Sequence, residues 1–126
     1  MKTTSASILI LLAVTLVLPG CGRPDPDAEV LERLKSEGVD LTKPRTVDFF
    51  FYFDKEENAK KAADQILALG FETSISPPHG SQPNWLCHAT KSMTPELGQL
   101  QGLRRQFDSI ASGLGGDYDG WSTTTH

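Results

Sequence analysis

The adjacent residues Cys87 and His88 are of the types that a thiol nucleophile and its general base require. They lie in the segment 85–90, whose pattern predicts a β-strand. Side chains of neighbouring strand residues point to opposite faces of a sheet, so the thiol and the imidazole cannot meet. We therefore predict that Cys87 is a buried small residue and that His88 is a polar residue on the other face.

A short acidic segment, Asp117-Tyr118-Asp119-Gly120, is similar to part of a calcium-binding loop. Such a loop needs an oxygen ligand five residues before the glycine and a glutamate six residues after it. Gly115 and His126 occupy those two positions, so the pattern does not predict a calcium site. Asp48 could approach these aspartates if the first and last strands pair, but an acidic rim in contact with solvent explains the carboxylates better.

Other catalytic patterns do not occur in the sequence. It has no glycine-rich phosphate loop, no Ser/His/Asp arrangement and no group of histidines with metal-ligand spacing. We therefore predict a protein that is not an enzyme and that uses no cofactor and no metal.

Composition excludes further classes of protein. The 126 residues include 12 Lys and Arg against 16 Asp and Glu, which gives a formal net charge of −4. This acidic balance argues against nucleic-acid binding, because phosphate neutralisation needs clustered basic side chains. Two cysteines exclude a disulfide scaffold, and the length fits one domain with one core.

The first twenty residues have the pattern of a secretory signal. Lys2 precedes the apolar segment 8–18, and a helix of that length spans about 16 Å, roughly half of the hydrocarbon thickness of a bilayer. The following Leu18-Pro19-Gly20-Cys21 resembles a bacterial lipobox, although Pro19 departs from the usual residue at its position. We predict a signal over 1–20, lipidation at Cys21, a tether over 21–26 and one domain over 27–126. An ordinary signal peptide or a short membrane anchor is the alternative.

Lipidation at Cys21 would place the domain in the cell envelope. Gly22 follows the cysteine at a position where an aspartate would favour retention in the inner membrane. We therefore expect a protein held by its acyl chains in a membrane, facing the periplasm, with the outer membrane favoured.

Periodicity in the rest of the chain predicts an α+β domain. Asp27 is expected to cap the first helix, Asp54 to begin a capping box for the second, and Pro95 to occupy the first position of the third. After that first helix the order β-α-β-β-α-β predicts a ferredoxin-like sandwich. The predicted elements are helix 27–37, strand 45–54, a helix that ends at residue 70, strand 71–76, strand 85–90, helix 95–114 and strand 117–124.

Five consecutive aromatic residues, 49–53, dominate the first predicted strand. Alternation directs Phe49 and Phe51 to one face, under the helices, and Phe50 and Tyr52 to the face that a two-layer sandwich leaves open. These outward aromatic side chains predict a surface for a partner or a ligand, unless the first helix covers them through Val30, Leu31 and Leu34. The predicted partner-binding residues are Asp48, Phe50, Tyr52, His88, Asp119 and Trp121.

Recognition of RNA by this aromatic face is not predicted. The sequence lacks the basic, glycine-aromatic pattern of RNA-recognition sheets, and Asp48 flanks Phe50 where a cation would be needed. Together with the acidic composition, this argues for a partner that is not a nucleic acid.

Several short segments distributed along the predicted domain share a family pattern. They are Asp40-Leu41, Pro44-Arg45, Val47 to Phe53, Gly70-Phe71, Trp85, and Gly115-Gly116 with Tyr118-Asp119-Gly120-Trp121. Together these segments resemble the RraB family, the regulators of ribonuclease E activity, from about residue 27 to residue 123. The resemblance implies a small non-enzymatic α/β domain that binds the endonuclease ribonuclease E.

Export conflicts with this target, because ribonuclease E acts in the cytoplasm. A later start would have to use Met93, which lies beyond the first strand. We therefore expect a protein partner, which would be ribonuclease E only if a cytoplasmic form exists. The alternative is a membrane-anchored module that binds a small ligand, which would need a closed pocket of roughly 300 Å³ or more.

Overall fold

The computed structural model describes residues 25–124, which form three helices and four strands. The predicted signal over 1–20, the lipidation residue Cys21 and most of the predicted tether lie outside the described residues. No helix within the described range is long and apolar enough to cross a membrane. In chain order the elements are α1 (Pro26–Ser36), β1 (Arg45–Phe53), α2 (Glu56–Ala68), β2 (Glu72–Ser76), β3 (Trp85–Met93), α3 (Leu97–Gly113) and β4 (Asp117–Thr123).

The four strands form one antiparallel sheet in the order β2-β3-β1-β4. The aromatic strand β1 is therefore central, with β3 on one side and β4 on the other. This arrangement confirms the predicted ferredoxin-like α+β fold with an additional N-terminal helix. In the register, Phe50 lies opposite His88 and Phe51 opposite Cys87.

The core lies between the sheet and the two helices α2 and α3. Phe49, Phe51 and Phe53 are at most 1% exposed, as their alternation along β1 predicts. Phe107 of α3 is at the centre of this layer, because its ring contacts the rings of four other aromatic residues at centroid distances of 5.0–5.4 Å. These four residues are Phe49, Phe51, Phe71 and Tyr118.

The helix starts differ from the predicted ones. The N-cap of α1 is Asp25, whose carboxylate accepts hydrogen bonds from the amides of Asp27 and Ala28, so Asp27 is not the cap. Helix α2 begins after Lys55, which makes no side-chain cap, rather than after Asp54.

The third helix begins at Leu97, with Glu96 as its N-cap, two residues after the predicted start. Strand β3 also extends further than predicted, because it does not end at residue 90 but continues in pairing with β1 as far as Met93. Pro95 therefore lies in the connection of residues 94–96 and not in the helix.

A β-bulge interrupts the pairing of β4 with β1. Phe50 pairs with Gly120 but Phe51 pairs with Tyr118, so Asp119 is an additional residue on β4. Gly120 has φ of 113°, a backbone conformation that glycine adopts most readily. Trp121 is three positions after Tyr118, which would put the two side chains on opposite faces of a regular strand, but the bulge turns both into the core.

Gly116, just before β4, lies where a side chain cannot fit. A Cβ built there would be 2.4 Å from the carbonyl oxygen of Tyr52 and 2.3 Å from Cδ1 of Phe53. We expect Gly116→Ala to lower the free energy of unfolding by about 1–3 kcal/mol, because the backbone of β1 must move.

Chemical denaturation measures the free energy of unfolding of Gly116→Ala, and Gly113→Ala is its matched control. Gly113 is the last residue of α3 and has open space around its Cβ position. Alanine there is expected to leave stability unchanged or to raise it by up to about 1 kcal/mol. Equal stability of the two variants would show that β1 and Gly116 do not pack tightly.

Candidate protein-interaction face

One face of the sheet is not covered by any of the three described helices. Helices α2 and α3 pack on the face that contains Phe49 and Phe51, and α1 packs against α3. Phe50 and Tyr52 point to the opposite side, where both are half-buried by their sheet neighbours. We call this side the open face. Because α1 lies in the helix layer, the alternative in which α1 covers the aromatic side chains is wrong.

A buried ion pair explains the position of α1. The carboxylate of Asp27 is 1% exposed and accepts two hydrogen bonds from the guanidinium of Arg104 on α3, each 2.9 Å long. It also accepts a hydrogen bond of 3.1 Å from Nε1 of Trp121 on β4. At the start of the helix, the carboxylate of Asp25 accepts a further hydrogen bond of 2.8 Å from the side-chain amide nitrogen Nε2 of Gln101 on α3. We call the contacts among Asp27, Arg104 and Trp121 the α1 latch.

At the centre of the open face, three of the predicted residues contact one another. The rings of Phe50 and His88 are stacked, with centroids 5.3 Å apart and planes within 14°. Nε2 of His88 lies 2.7 Å from Oδ1 of Asp48, so a hydrogen bond joins β3 to β1. Tyr52 lies on the same face, opposite Leu86. The structure therefore brings Asp48, Phe50, Tyr52 and His88 together, while their role in binding stays a prediction.

The two predicted residues on β4 differ in their placement. Asp119 is exposed, and alternation from the buried Tyr118 places it on the open side of the sheet. Trp121 is only 6% exposed and lies in the helix layer, where its indole binds Asp27. Trp121 therefore does not lie with the other predicted residues on the open face, because the bulge reverses its direction, and its role in partner binding stays a prediction. Tyr118 and Trp121 are both buried and anchor β4 against the core.

The candidate catalytic pair is separated as predicted. Cys87 is fully buried on the helix side, and burial raises the pKa of its thiol to about 11, so the thiol is neutral at physiological pH. His88 is on the open face, and its register partner on β2 is Ser74. No hydrogen bond joins Ser74 to His88 among the contacts of the described residues. The thiol of Cys87 and the imidazole of His88 therefore do not form a nucleophile and base pair.

Two clefts on the surface of residues 25–124 bear on the alternative of a small-ligand module. The cleft between α3 and β4 has a volume of about 500 Å³ and is lined by Asp108, Asp117 and Tyr118, among others. A second cleft of about 300 Å³ lies beside Glu72 and Lys91. Both are open to solvent, so their shape does not favour the alternative of a small-ligand module. In the described part of the chain, no group of three His, Cys, Asp or Glu residues could hold a metal ion.

Sequence reasoning missed the α1 latch. Its residues are far apart in the chain, since Arg104 is 77 positions after Asp27 and Trp121 is 94 positions after it. The local pattern indicates a helix cap at Asp27, because an acidic residue near a helix start is typical of that role. Arg104 lies on a helix with a well-formed apolar stripe, and nothing in the local pattern separates it from the exposed Arg105.

Comparison with known proteins gives one family match. The family model described as RraB, Regulator of ribonuclease activity B, matches residues 25–123. The match begins at the N-cap of α1 and ends at the last residue of β4, so it covers all seven elements of the fold. A search of the curated proteins gave no match.

Proposed function

Since the chain belongs to the RraB family, Regulator of ribonuclease activity B, we propose that it is a non-catalytic regulator that acts by contact with another protein. The observation that carries this proposal is the open face, where Phe50 and Tyr52 lie side by side without a covering helix among the described ones. Large aromatic side chains in such positions are typical of the anchors that dominate the affinity of protein interfaces.

The centre of the open face is held rigid before any partner binds. The stacking of Phe50 on His88 and the hydrogen bond from His88 to Asp48 restrict the rotamers of all three side chains. Binding of a partner then costs less conformational entropy, because these side chains are already ordered. This supports Phe50 and Tyr52 as the contact residues, with Asp48, His88 and Asp119 at the rim.

The proposal includes an envelope location. The signal pattern over 1–20 and the lipobox-like segment before Cys21 support a lipoprotein that faces the periplasm, with the outer membrane favoured. Only residues 22–24 lie between Cys21 and the N-cap Asp25, so the domain would be held close to the bilayer. An exported regulator would act on an envelope protein and not on ribonuclease E.

The contact proposal is tested with Phe50→Ala/Tyr52→Ala. Removal of one aromatic anchor costs about 2 kcal/mol or more, which is roughly thirtyfold in affinity, so the double variant is expected to lose its partner in a pull-down from envelope extracts. The matched control is Leu67→Ala/Leu69→Ala, which removes two exposed apolar side chains at the end of α2, away from the open face. This control should retain the partner.

Thermal unfolding of the same variants separates binding from stability. The double variant is expected to unfold near the wild-type temperature, because both side chains are half-exposed. Retention of the partner, or a loss of several kcal/mol in stability, would contradict the contact proposal.

Lipidation is tested by mass spectrometry of the mature N-terminus. The expected product begins at an acylated Cys21 and fractionates with membranes. The variant Cys21→Ala is expected to carry no acyl chain and to accumulate as the uncleaved precursor. A wild-type chain that still begins at Met1 without a lipid would contradict the envelope location.

A further inference from the structure

Strand β2 forms a free edge of the sheet. It pairs with β3 on one side, and no strand of the described residues pairs with its other side. Natural proteins block such edges with bulges, lysine or proline, because the unpaired backbone groups can otherwise bind another strand. The pairing of β2 with β3 runs from Glu72 to Ser76 without a bulge, and these five residues contain no lysine and no proline. The edge is therefore unprotected.

The opposite edge of the sheet, which is β4, differs from β2 in two ways. The bulge at Asp119 interrupts the regular spacing of its backbone groups. Asp117 and Asp119 are exposed, so the strand also carries charge along its edge. Because β4 has both kinds of protection and β2 has neither, β2 is the edge that is available for pairing.

From this difference we infer that two copies of the chain join through their β2 strands into one antiparallel sheet of eight strands. A two-fold axis perpendicular to the sheet then passes beside Ser74, which lies opposite itself. This register uses all five residues of the strand and pairs Thr73 of each copy with Ile75 of the other. Both side chains are on the helix side of the sheet, since their register partners on β3 are the buried Ala89 and Cys87.

Charge favours the register centred on Ser74. Glu72 is the one charged residue of β2, and in this register it lies opposite the uncharged Ser76 of the other copy. The two glutamates are then about 13 Å apart along the strands, which exceeds the screening length at physiological ionic strength. A register centred on Glu72 would instead place two carboxylates directly opposite each other, which is destabilising.

An exposed apolar side chain lies beside the same edge. Leu67, in the last turn of α2, is 56% exposed and follows the buried Ile66. Successive residues of a helix point about 100° apart, and the right-handed connection from β1 through α2 to β2 turns Leu67 towards the free edge. Helix α2 packs on β2 and β3, so pairing of the β2 strands brings the two copies of α2 side by side. The pairing thus covers an apolar side chain that a single chain leaves in solvent.

This pairing extends the open face without covering it. Because the two-fold axis is perpendicular to the sheet, both helix layers lie on one side and both open faces lie on the other. Phe50 and Tyr52 of the two copies are then presented in the same direction. Each copy keeps a complete open face, so the proposed contact with a partner does not depend on the pairing.

Disulfide cross-linking tests the centre of the register. Residues that face each other in antiparallel strands have Cα atoms roughly 4.5–5.5 Å apart, which a disulfide can span. We expect Ser74→Cys in the full chain to form a covalent dimer in cells under mild oxidation. Ser109→Cys places a thiol at an exposed position on α3 and should give no more dimer than the wild type, which has the same Cys21 and Cys87. Equal amounts of dimer in the two variants would overturn the inference.

Co-purification of two differently tagged full chains measures the association without a cross-link. Ser74→Lys places two ammonium groups opposite each other at the two-fold axis, so it is expected to lower co-purification at least about tenfold. Ser74 is exposed, and the variant should therefore keep the circular dichroism spectrum of the wild type. Ser109→Lys adds the same charge away from the edge and should retain the association. Wild-type copies that do not co-purify, or an association that persists in Ser74→Lys, would overturn the inference.

Discussion

Replacement of Trp121 with alanine is expected to lower the free energy of unfolding by about 3–5 kcal/mol. The indole is 6% exposed and lies opposite Phe49 in the pairing of β4 with β1. Its removal leaves a cavity beneath α1 and also deprives the carboxylate of Asp27 of one hydrogen-bond donor. Urea denaturation followed by circular dichroism measures the loss, since the domain is small enough for a two-state transition.

The variant Trp121→Phe separates the two contributions at this position. It keeps most of the apolar volume but removes the donor to Asp27, so its loss should be smaller, at about 1–3 kcal/mol. An unchanged denaturation midpoint for Trp121→Ala would contradict the burial of β4 against the core. If Trp121→Phe lowered the free energy of unfolding as much as Trp121→Ala does, the hydrogen bond to Asp27, and not the packing of the indole, would hold this strand.

Replacement of Arg104 with methionine is expected to cost about 3–5 kcal/mol of stability, because it leaves a buried carboxylate without its counter-ion. Asp27 is 1% exposed and would lose two hydrogen bonds together with the positive charge. The hydrogen bonds to Asp27 raise the pKa of the Arg104 guanidinium above its usual value. Arg104 also lies 5.2 Å from the ring centre of Tyr118, and its loss weakens that contact as well.

The adjacent Arg105 provides the matched control for this prediction. Its side chain is exposed, so Arg105→Met should change stability by less than about 0.5 kcal/mol. The double variant Asp27→Leu/Arg104→Met should recover much of the loss, because no unpaired charge remains buried. Equal losses in Arg104→Met and Arg105→Met would contradict the α1 latch.

The α1 latch also determines which surface is free for a partner. Asp27 holds α1 against α3 and β4, on the side of the sheet that contains the core. The open face is uncovered by the described helices as a consequence of this attachment. A stability experiment on Arg104 thus bears on the function, since release of α1 would free its apolar residues Leu31 and Leu34 to cover other surfaces.

The open face was predictable from β1 alone. Side chains alternate along any strand, and the run of aromatic residues 49–53 therefore divides between the core and the opposite side. The same alternation predicted that Cys87 and His88 separate. The family resemblance was also readable, because its residues are contiguous in short segments, and the family model matches residues 25–123. The order of the elements, together with chain length, was sufficient to predict the fold class.

Features that depend on contacts between distant segments required the tertiary structure. The bulge at Asp119 arises from the fit of β4 to β1, and it reverses Trp121 although the sequence around it resembles a regular strand. The end of β3 at Met93 depends on its pairing with β1, which the local pattern around residue 90 does not reveal. Local sequence thus determined which way β1 and β3 present their side chains, because that periodicity is a property of the extended backbone itself. Only tertiary packing decided where α1 lies, because a buried aspartate is tolerated only where a cation from another element reaches it.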